Sequence, residues 1–426
     1  MSTRKPASPP QRRAKQRAFC IAVLESGEDL TELHELLRTA GVAIVGNAIQ
    51  HRDAPHPNTY LGPGKVAEVK AAAKAADANL IVCDDELSPR QERNLEQEFG
   101  ISVVDRTATI LDIFATHAGS AEGKLQVELA QLEYNLARMR GLWTHLERLG
   151  GVSSGGFATR GPGESQIETD RRLARDRISA LRRRLKQVAR TRETQRAERD
   201  RNKVPQIALA GYTNAGKSTL LNALTGSEVA VRDRLFETLD PTTRQLEIDG
   251  RRYLVSDTVG FIRKLPHQLV DAFASTLEET RRADLVLHVV DASAEDEDML
   301  EMVSAVEQTL DQIGAGERPR VLVLNKLDAV TADRRAELAA QHPDAVLISA
   351  AAHEGLENLM ERIAREFAKT LRSVELLLPF DEGAKLAELH EIAGDLHRED
   401  TSEGVRVVVR LPSAVADRFE PFAVRS

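Results

Sequence analysis

The residues most able to do chemistry in this 426-residue sequence are Gly211-Tyr212-Thr213-Asn214-Ala215-Gly216-Lys217-Ser218. The string fits the spacing G-x-x-x-x-G-K-[ST]. It follows the apolar run Gln-Ile-Ala-Leu-Ala and opens the helical run Ser-Thr-Leu-Leu-Asn-Ala-Leu. Glycine at both ends lets the chain wrap so that successive N–H groups face inward, towards an anion. The helix that follows adds the positive end of its dipole. A lysine at this place can reach the β- and γ-phosphates of a nucleoside triphosphate, and the serine hydroxyl can ligate Mg²⁺.

A second group, Asn325-Lys326-Leu327-Asp328, closes the apolar run Val-Leu-Val-Leu. The Asp328 carboxylate can accept from the N1–H and 2-amino groups of guanine. Adenine has no such donor pair and would leave the carboxylate unmatched, a cost of about 1–3 kcal/mol or more. Asn325 is expected at the N7/O6 edge of the base and Lys326 over its ring. Ser349-Ala350-Ala351, after the run Ala-Val-Leu-Ile, is expected to offer a backbone contact to O6. The expected ligands are therefore GTP and GDP, with Mg²⁺.

Hydrolysis needs further groups. Asp257-Thr258-Val259-Gly260 ends a strand-like run. Asp257 suits the Mg²⁺ shell, and the Gly260 N–H can bond a γ-phosphate, as Lys217 can. Upstream lies Phe236-Glu237-Thr238-Leu239-Asp240-Pro-Thr-Thr, where a threonine should reach Mg²⁺ beside Ser218. Spacing leaves Thr238, Thr242 and Thr243 open. Position 261, where many GTPases carry a water-orienting Gln, is Phe261. A phenyl ring cannot do that work, so intrinsic hydrolysis should be slow and a partner should stimulate it.

These residues need a scaffold. Over 204–371, strands are expected at 205–211, 245–250, 253–258, 284–291, 320–326 and 345–350, with helices between them and a last helix at 355–371. That alternation implies a doubly wound P-loop G domain. Residues 18–118 alternate in the same way, with strands at 19–25, 42–46, 80–85 and 101–105 and helices at 29–40, 64–76 and 88–99, a small N-terminal α/β domain. Leu61-Gly62-Pro63-Gly64-Lys65 lacks a full phosphate-loop pattern and reads as a helix start. Between these domains, Leu125, Leu129, Leu132, Leu136, Met139, Trp143 and Leu146 recur at steps of four and three, the spacing of a coiled-coil seam, and the stripe reads as core packing with no cofactor ligand in it. A Gly-rich loop at 150–165 and a second helix carrying Ile178, Leu181, Leu185 and Val188 complete an antiparallel helical hairpin over 119–203. Residues 372–426 suit a small α+β domain with a helix at 383–396, and residues 1–17 a disordered basic tail. The fold class is multi-domain α/β.

Composition agrees with a soluble globular protein: 42% hydrophobic and 29% charged residues. No apolar run is long enough for a membrane span. The two cysteines, Cys20 and Cys83, have no metal-ligand spacing and read as reduced core thiols. The formal charge of −8 hides a strongly basic segment, residues 171–203, with fourteen Lys or Arg against four Asp or Glu. Such a stripe suits a polyanion, or a solvated helix face.

A resemblance is carried by Asp105-Arg106-Thr107…Ile110-Leu111-Asp112-Ile113-Phe114, by Glu122-Gly123-Lys124-Leu125-Gln126-Val127-Glu128-Leu129-Ala130-Gln131-Leu132, and by Thr159-Arg160-Gly161-Pro162-Gly163-Glu164 through Glu168-Thr169-Asp170-Arg171-Arg172. With the phosphate loop, Phe-x-Thr-Leu-Asp-Pro-Thr and Asp-Thr-Val-Gly-Phe-Ile, the sequence resembles the bacterial HflX GTPases over residues 18 to about 371. His117 and Ala158 depart from the family pattern, where Arg and Gly are usual. A cytoplasmic protein, monomeric when free, is expected, and the resemblance implies what it acts on. It would bind the large ribosomal subunit through the hairpin and split stalled or idle ribosomes. It selects Thr238 as the Mg²⁺ threonine and makes Arg160, Arg171, Arg172, Arg182, Arg183 and Arg184 candidates for rRNA phosphate contacts. Two other functions compete: a switch acting on a protein effector, and an ATP-dependent RNA-remodelling activity of the N-terminal domain.

Overall fold

The computed structural model describes residues 16–24, 29–139, 162–202, 204–227, 235–236, 241–264, 274–393 and 396–424. They fall into two units, one of residues up to 116 with 127–180, the other of 117–126 with 181 onward.

In the first unit, β1 (Arg17–Leu24), β2 (Ala43–His51), β3 (Leu80–Cys83) and β4 (Ser102–Val104) form a parallel sheet in the order β2-β1-β3-β4. β1 and β3 are nearly continuous apolar runs because helices cover both faces of such a sheet. Helices α1 (Thr31–Ala40), α2 (Pro63–Ala75) and α3 (Pro89–Phe99) lie between the strands. Leu61–Lys65 is indeed the start of α2, with Gly62 at its N-cap. Ile21, Leu61, Val69, Ile81 and Leu95 share the core. β2 runs five residues past its expected end at Gly46, because its pairing with β1 continues to Leu24 opposite His51. Helix α4 (Arg106–His117), which has no counterpart among the expected elements, buries Ile110, Leu111, Ile113 and Phe114.

Helix α5 spans Ala121–Arg138 and α6 spans Pro162–Asn202. Arg177 of α6 reaches Glu128 of α5 at 2.7 Å. The stripe packs as core, on a face broader than the seam spacing alone would give. Val127, Leu129, Ala130 and Tyr134 are buried, whereas Leu132, Leu136 and Met139 are only half-buried. α5 thus packs as a globular helix with a wide apolar stripe. α6 is described from Pro162, so residues 162–165 of the stretch expected as loop are helical. Trp143, Leu146 and residues 150–161 lie outside the described residues.

In the second unit, β5 (Gln206–Gly211), β6 (Thr242–Ile248), β7 (Arg251–Asp257), β8 (Leu285–Asp291), β9 (Arg320–Asn325) and β10 (Val346–Leu347) form a sheet in the order β10-β9-β8-β5-β7-β6. Only β6 is antiparallel to its neighbour. Helices α7 (Lys217–Thr225), α8 (Ala274–Arg282), α9 (Asp296–Gln312), α10 (Ala332–Gln341) and α11 (Leu356–Ala368) connect them. Ile207, Leu209, Val289 and Val323 pack with Leu220 and Leu221 of α7 and with Leu359 and Ile363 of α11. The chain leaves β5 towards β7 on one side and later adds β8 on the other. The carboxyl end of β5 is therefore a switch point, where open α/β sheets hold ligands.

β10 keeps two of the six residues expected at 345–350. β6 begins three residues early, because Thr242 pairs with Asp257. The last segment folds as β11 (Leu371–Leu378), β12 (His397–Asp400) and β13 (Val405–Pro412), antiparallel in the order β11-β13-β12, with α12 (Gly383–Ala393) and α13 (Ser413–Ala416). Leu376, Leu389, Val407, Leu411 and Phe419 are its core. The helix expected at 383–396 is described from Gly383 to Ala393, and residues 394 and 395 lie outside the described residues. β12 follows as a wholly exposed polar edge strand that no hydrophobic alternation announces. Among the described residues, no helix is long and apolar enough to cross a membrane.

Candidate nucleotide site

Gly211 ends β5, and Gly216 caps α7 at φ 90°, a conformation natural only to glycine. A Cβ on Gly216 would collide with Asn325 Nδ2. The turn between them therefore wraps in front of the first N–H groups of α7. Lys217, 6% exposed, donates from Nζ to the carbonyls of Gly211 at 3.0 Å and Tyr212 at 2.8 Å. Burial lowers its pKa to about 8, against the opposing pull of Asp257. The Thr213 hydroxyl oxygen is buried with no hydrogen-bond partner.

The strand beside β5 supplies the second wall. Ser218 Oγ donates to Asp257 Oδ2 at 2.6 Å, and Asp257 is 1% exposed. A hydroxyl and a carboxylate are hard oxygen ligands. Mg²⁺ shared with phosphates takes only one or two protein oxygens, so this pair fits it without a larger cage. Among the described residues, no group of three or more His, Cys, Asp or Glu could form such a cage. Thr258 Oγ1 donates to the Leu209 carbonyl at 2.8 Å, anchoring the 257–260 turn to β5. At Gly260 a Cβ would lie 2.9 Å from Thr213 Cα and 3.2 Å from Lys217 Nζ, so the bare backbone there stands beside the lysine.

Phe261 is a core residue. It is fully buried, its carbonyl accepts from Thr213 N–H at 2.7 Å, and its N–H donates to the Gly211 carbonyl at 3.1 Å. The ring belongs to the core and its backbone clamps the phosphate loop. Val259 is also buried. Tyr212 reinforces the clamp, its hydroxyl accepting from Arg263 N–H at 2.7 Å.

At the end of β9, Asn325 donates from Nδ2 to the Ala215 carbonyl at 2.9 Å and accepts at Oδ1 from Ala350 N–H at 3.0 Å. Its amide joins three loops. Lys326, at φ 67°, pairs with Asp291 at 2.7 Å. Leu327 and Asp328 begin a short 3₁₀ turn. Asp328 accepts from Ser349 Oγ at 2.5 Å, and Ser349 Oγ accepts from Ala352 N–H at 3.0 Å. Arg335 holds the turn from behind, Nε donating to the Leu327 carbonyl at 3.1 Å. Ala350 is buried and Ala351 exposed. Asp291 and Arg335 were not among the expected site residues. For Asp291 a signal existed, since it closes its strand as Asn325 closes the next, and the two sit opposite in register.

Phe236, at φ 58°, is buried, while Glu237, Thr238, Leu239 and Asp240 lie outside the described residues. Of the other two threonines considered, both belong to β6, and Thr243 shares a hydrogen bond with Ser256 at 2.9 Å. Arg160 is also outside the described residues. Arg172, Arg182, Arg183 and Arg184 are exposed along α6, whereas Arg171 is half-buried and near Glu168 at 3.5 Å.

Family models match three consecutive stretches: "GTP-binding GTPase N-terminal" over residues 27–115, "GTP-binding GTPase Middle Region" over 117–199 and "50S ribosome-binding GTPase" over 206–326. The chain is 43% identical over 416 residues to "GTPase HflX" of Caldanaerobacter subterraneus, covering 97% of this chain and 95% of that one. It is 46% identical to the protein of that name from Lacrimispora saccharolytica, covering 96% and 97%. To that of Escherichia coli K12 it is 44% identical, covering 90% of each.

Proposed function

Because this chain belongs to the HflX family of GTPases and is a GTP-binding, GTP-hydrolysing enzyme, we propose that it spends its GTP cycle on the ribosome, binding the large subunit and splitting stalled or idle particles. Two observations support that reading. The family model over residues 206–326 describes a 50S ribosome-binding GTPase, and α6 exposes a run of arginines suited to rRNA phosphates. The protein would act in the cytoplasm as a monomer when free.

In the proposed cycle, the amides of Gly211 to Ser218 enclose the α- and β-phosphates, and the Thr213 hydroxyl turns to an oxygen among them. Lys217 leaves the carbonyls of Gly211 and Tyr212 for the β- and γ-oxygens. Ser218, Asp257 through its shell, and Thr238 would hold Mg²⁺, which when bound neutralises charge on the β- and γ-phosphates. The Gly260 N–H reports the presence of the γ-phosphate. Asp328, oriented by Ser349, accepts from guanine, while Lys326, held by Asp291, covers the ring. Asn325, Leu327, Ala350 and Ala351 complete the base pocket. Phe236 to Asp240 form the segment that answers to the γ-phosphate.

The observation that carries guanine selection is the Ser349–Asp328 hydrogen bond, which aims the carboxylate before any base arrives. No side chain at 261 orients water, so the large subunit must complete the machinery. Co-sedimentation with purified ribosomal subunits in GTP and in GDP tests the reading. GTP-dependent, salt-sensitive pelleting with the large subunit is expected. Binding to neither subunit in either state would refute it and favour a protein effector.

A further inference from the structure

Asp105, fully buried, gathers four donors from three separate parts of the first unit. They are the N–H of Leu87 at 3.1 Å, the N–H of Ala108 at 2.8 Å, the hydroxyl of Tyr134 at 2.7 Å and the guanidinium of Arg138 at 2.6 Å. The first belongs to the loop after β3. The second is in the first turn of α4, which Asp105 caps. Tyr134 and Arg138 belong to α5, and Arg138 is its last residue.

The guanidinium uses each of its faces. Nε pairs with Glu92 of α3 at 2.7 Å, Nη2 also donates to the Leu87 carbonyl at 3.0 Å, and the plane lies 3.3 Å over the Tyr134 ring. Only 12% of the Arg138 side chain is exposed. Two carboxylates face one guanidinium here, and burial holds Glu92 above its ordinary pKa even beside that charge.

Buried ion pairs contribute little net stability compared with apolar packing. Their distinctive effect is to make one geometry far better than its neighbours. A hydrophobic contact tolerates sliding, whereas a fork that meets Glu92, Asp105 and a carbonyl at once does not. We propose that Arg138 is a positioning residue that locks hairpin helix α5 to the N-terminal sheet around Asp105, so that sheet and helix move as one lever. The functional half of the inference rests on the ribosome reading above: a rigid lever passes force to the segment after α5, and a loose one dissipates it.

Arg138→Lys keeps the charge but cannot match the fork. Tyr134→Phe is the gentler second variant, removing one donor to Asp105 and keeping the ring. Hydrogen exchange on the full-length chain reads the lock directly. In Arg138→Lys, the amides of 127–138 and of the first turn of α4 should exchange at least roughly tenfold faster, while those of β1 keep their protection. Tyr134→Phe should show a smaller change in the same amides. Uniform acceleration across the unit, or none, overturns the lock.

On ribosomes, the maximal splitting rate should fall roughly tenfold, with half-saturating protein concentration and ribosome-free GTP turnover unchanged. Wild-type splitting by a variant with loosened α5 overturns the lever. If the wild-type chain itself leaves ribosomes whole, the ribosome reading fails, and the exchange pattern still decides the lock.

Discussion

The side-chain amide of Asn325 donates to the backbone carbonyl of Ala215, 2.9 Å away, and so ties the loop that would read the base to the loop that would hold the phosphates. Its other end accepts from Ala350 N–H. One short side chain thus coordinates three segments far apart in sequence, and the collision that a Cβ on Gly216 would make with the same amide shows how closely they fit.

Asn325→Asp should therefore disturb both halves of the site. It replaces a donor with an acceptor facing the Ala215 carbonyl, a loss of about 1–3 kcal/mol of stability. GTP and GDP affinities should fall together, because the shared loop geometry is lost rather than a γ-phosphate contact. Denaturant unfolding and nucleotide titration check this. Wild-type values in both would remove the staple from the account.

Lys217 predicts a pH dependence. Its pKa in the free protein is lowered to about 8 from an ordinary 10.5. Nucleotide phosphates favour the charged amine, so the bound protein holds more protons than the free protein between those values. Affinity for GTP should be level below pH 8 and decline above it, by at most about tenfold per unit. Titration in buffers of different ionisation enthalpy should show proton uptake on binding near pH 8.5. A flat affinity from pH 7 to 9.5 would contradict the assignment.

Asp328→Asn should lower GTP affinity by roughly 10²-fold or more, since an amide hydrogen then faces guanine's own donors. The same variant should gain affinity for xanthosine nucleotides, whose oxygen at C2 accepts that hydrogen. Ser349→Ala should cost less, because it loosens the carboxylate without removing it. Competition binding with the two bases checks the order, and an Asp328→Asn protein that still prefers guanine would break it.

Phe261→Gln should not create a faster enzyme. The side chain at 261 packs in the core, so glutamine there loses phenyl packing and buries an amide, for about 3 kcal/mol of destabilisation. Intrinsic GTP turnover should stay at or below wild type while the melting temperature drops. Turnover that rises severalfold would show that position 261 can face the water.

The sheet carrying the site and the strand-end residues 211–218, 257–260 and 325–328 were readable because fixed spacing at strand ends is what phosphate and base chemistry demand. Asp291 and Arg335 were harder to find, because their partners come from strand register and from a helix packed behind a turn. β12 is a polar edge strand with no alternation to detect. Helix α4 hid inside a motif noticed for other reasons. In α5, steps of four and three fit both a narrow coiled coil and a broad globular face, and only burial at Val127, Ala130 and Tyr134 separates them. The Asp105 hub joins the loop after β3 to helices α4 and α5, and no spacing rule links those three elements.

The most direct measurement is calorimetric titration of the full-length chain with GTP, GDP and ATP in the presence of Mg²⁺. GTP and GDP should bind at one site with ATP weaker by at least about 10²-fold, and Lys217→Ala should abolish the GTP signal. Equal affinity for ATP and GTP, or GTP binding that survives Lys217→Ala unchanged, would contradict the account.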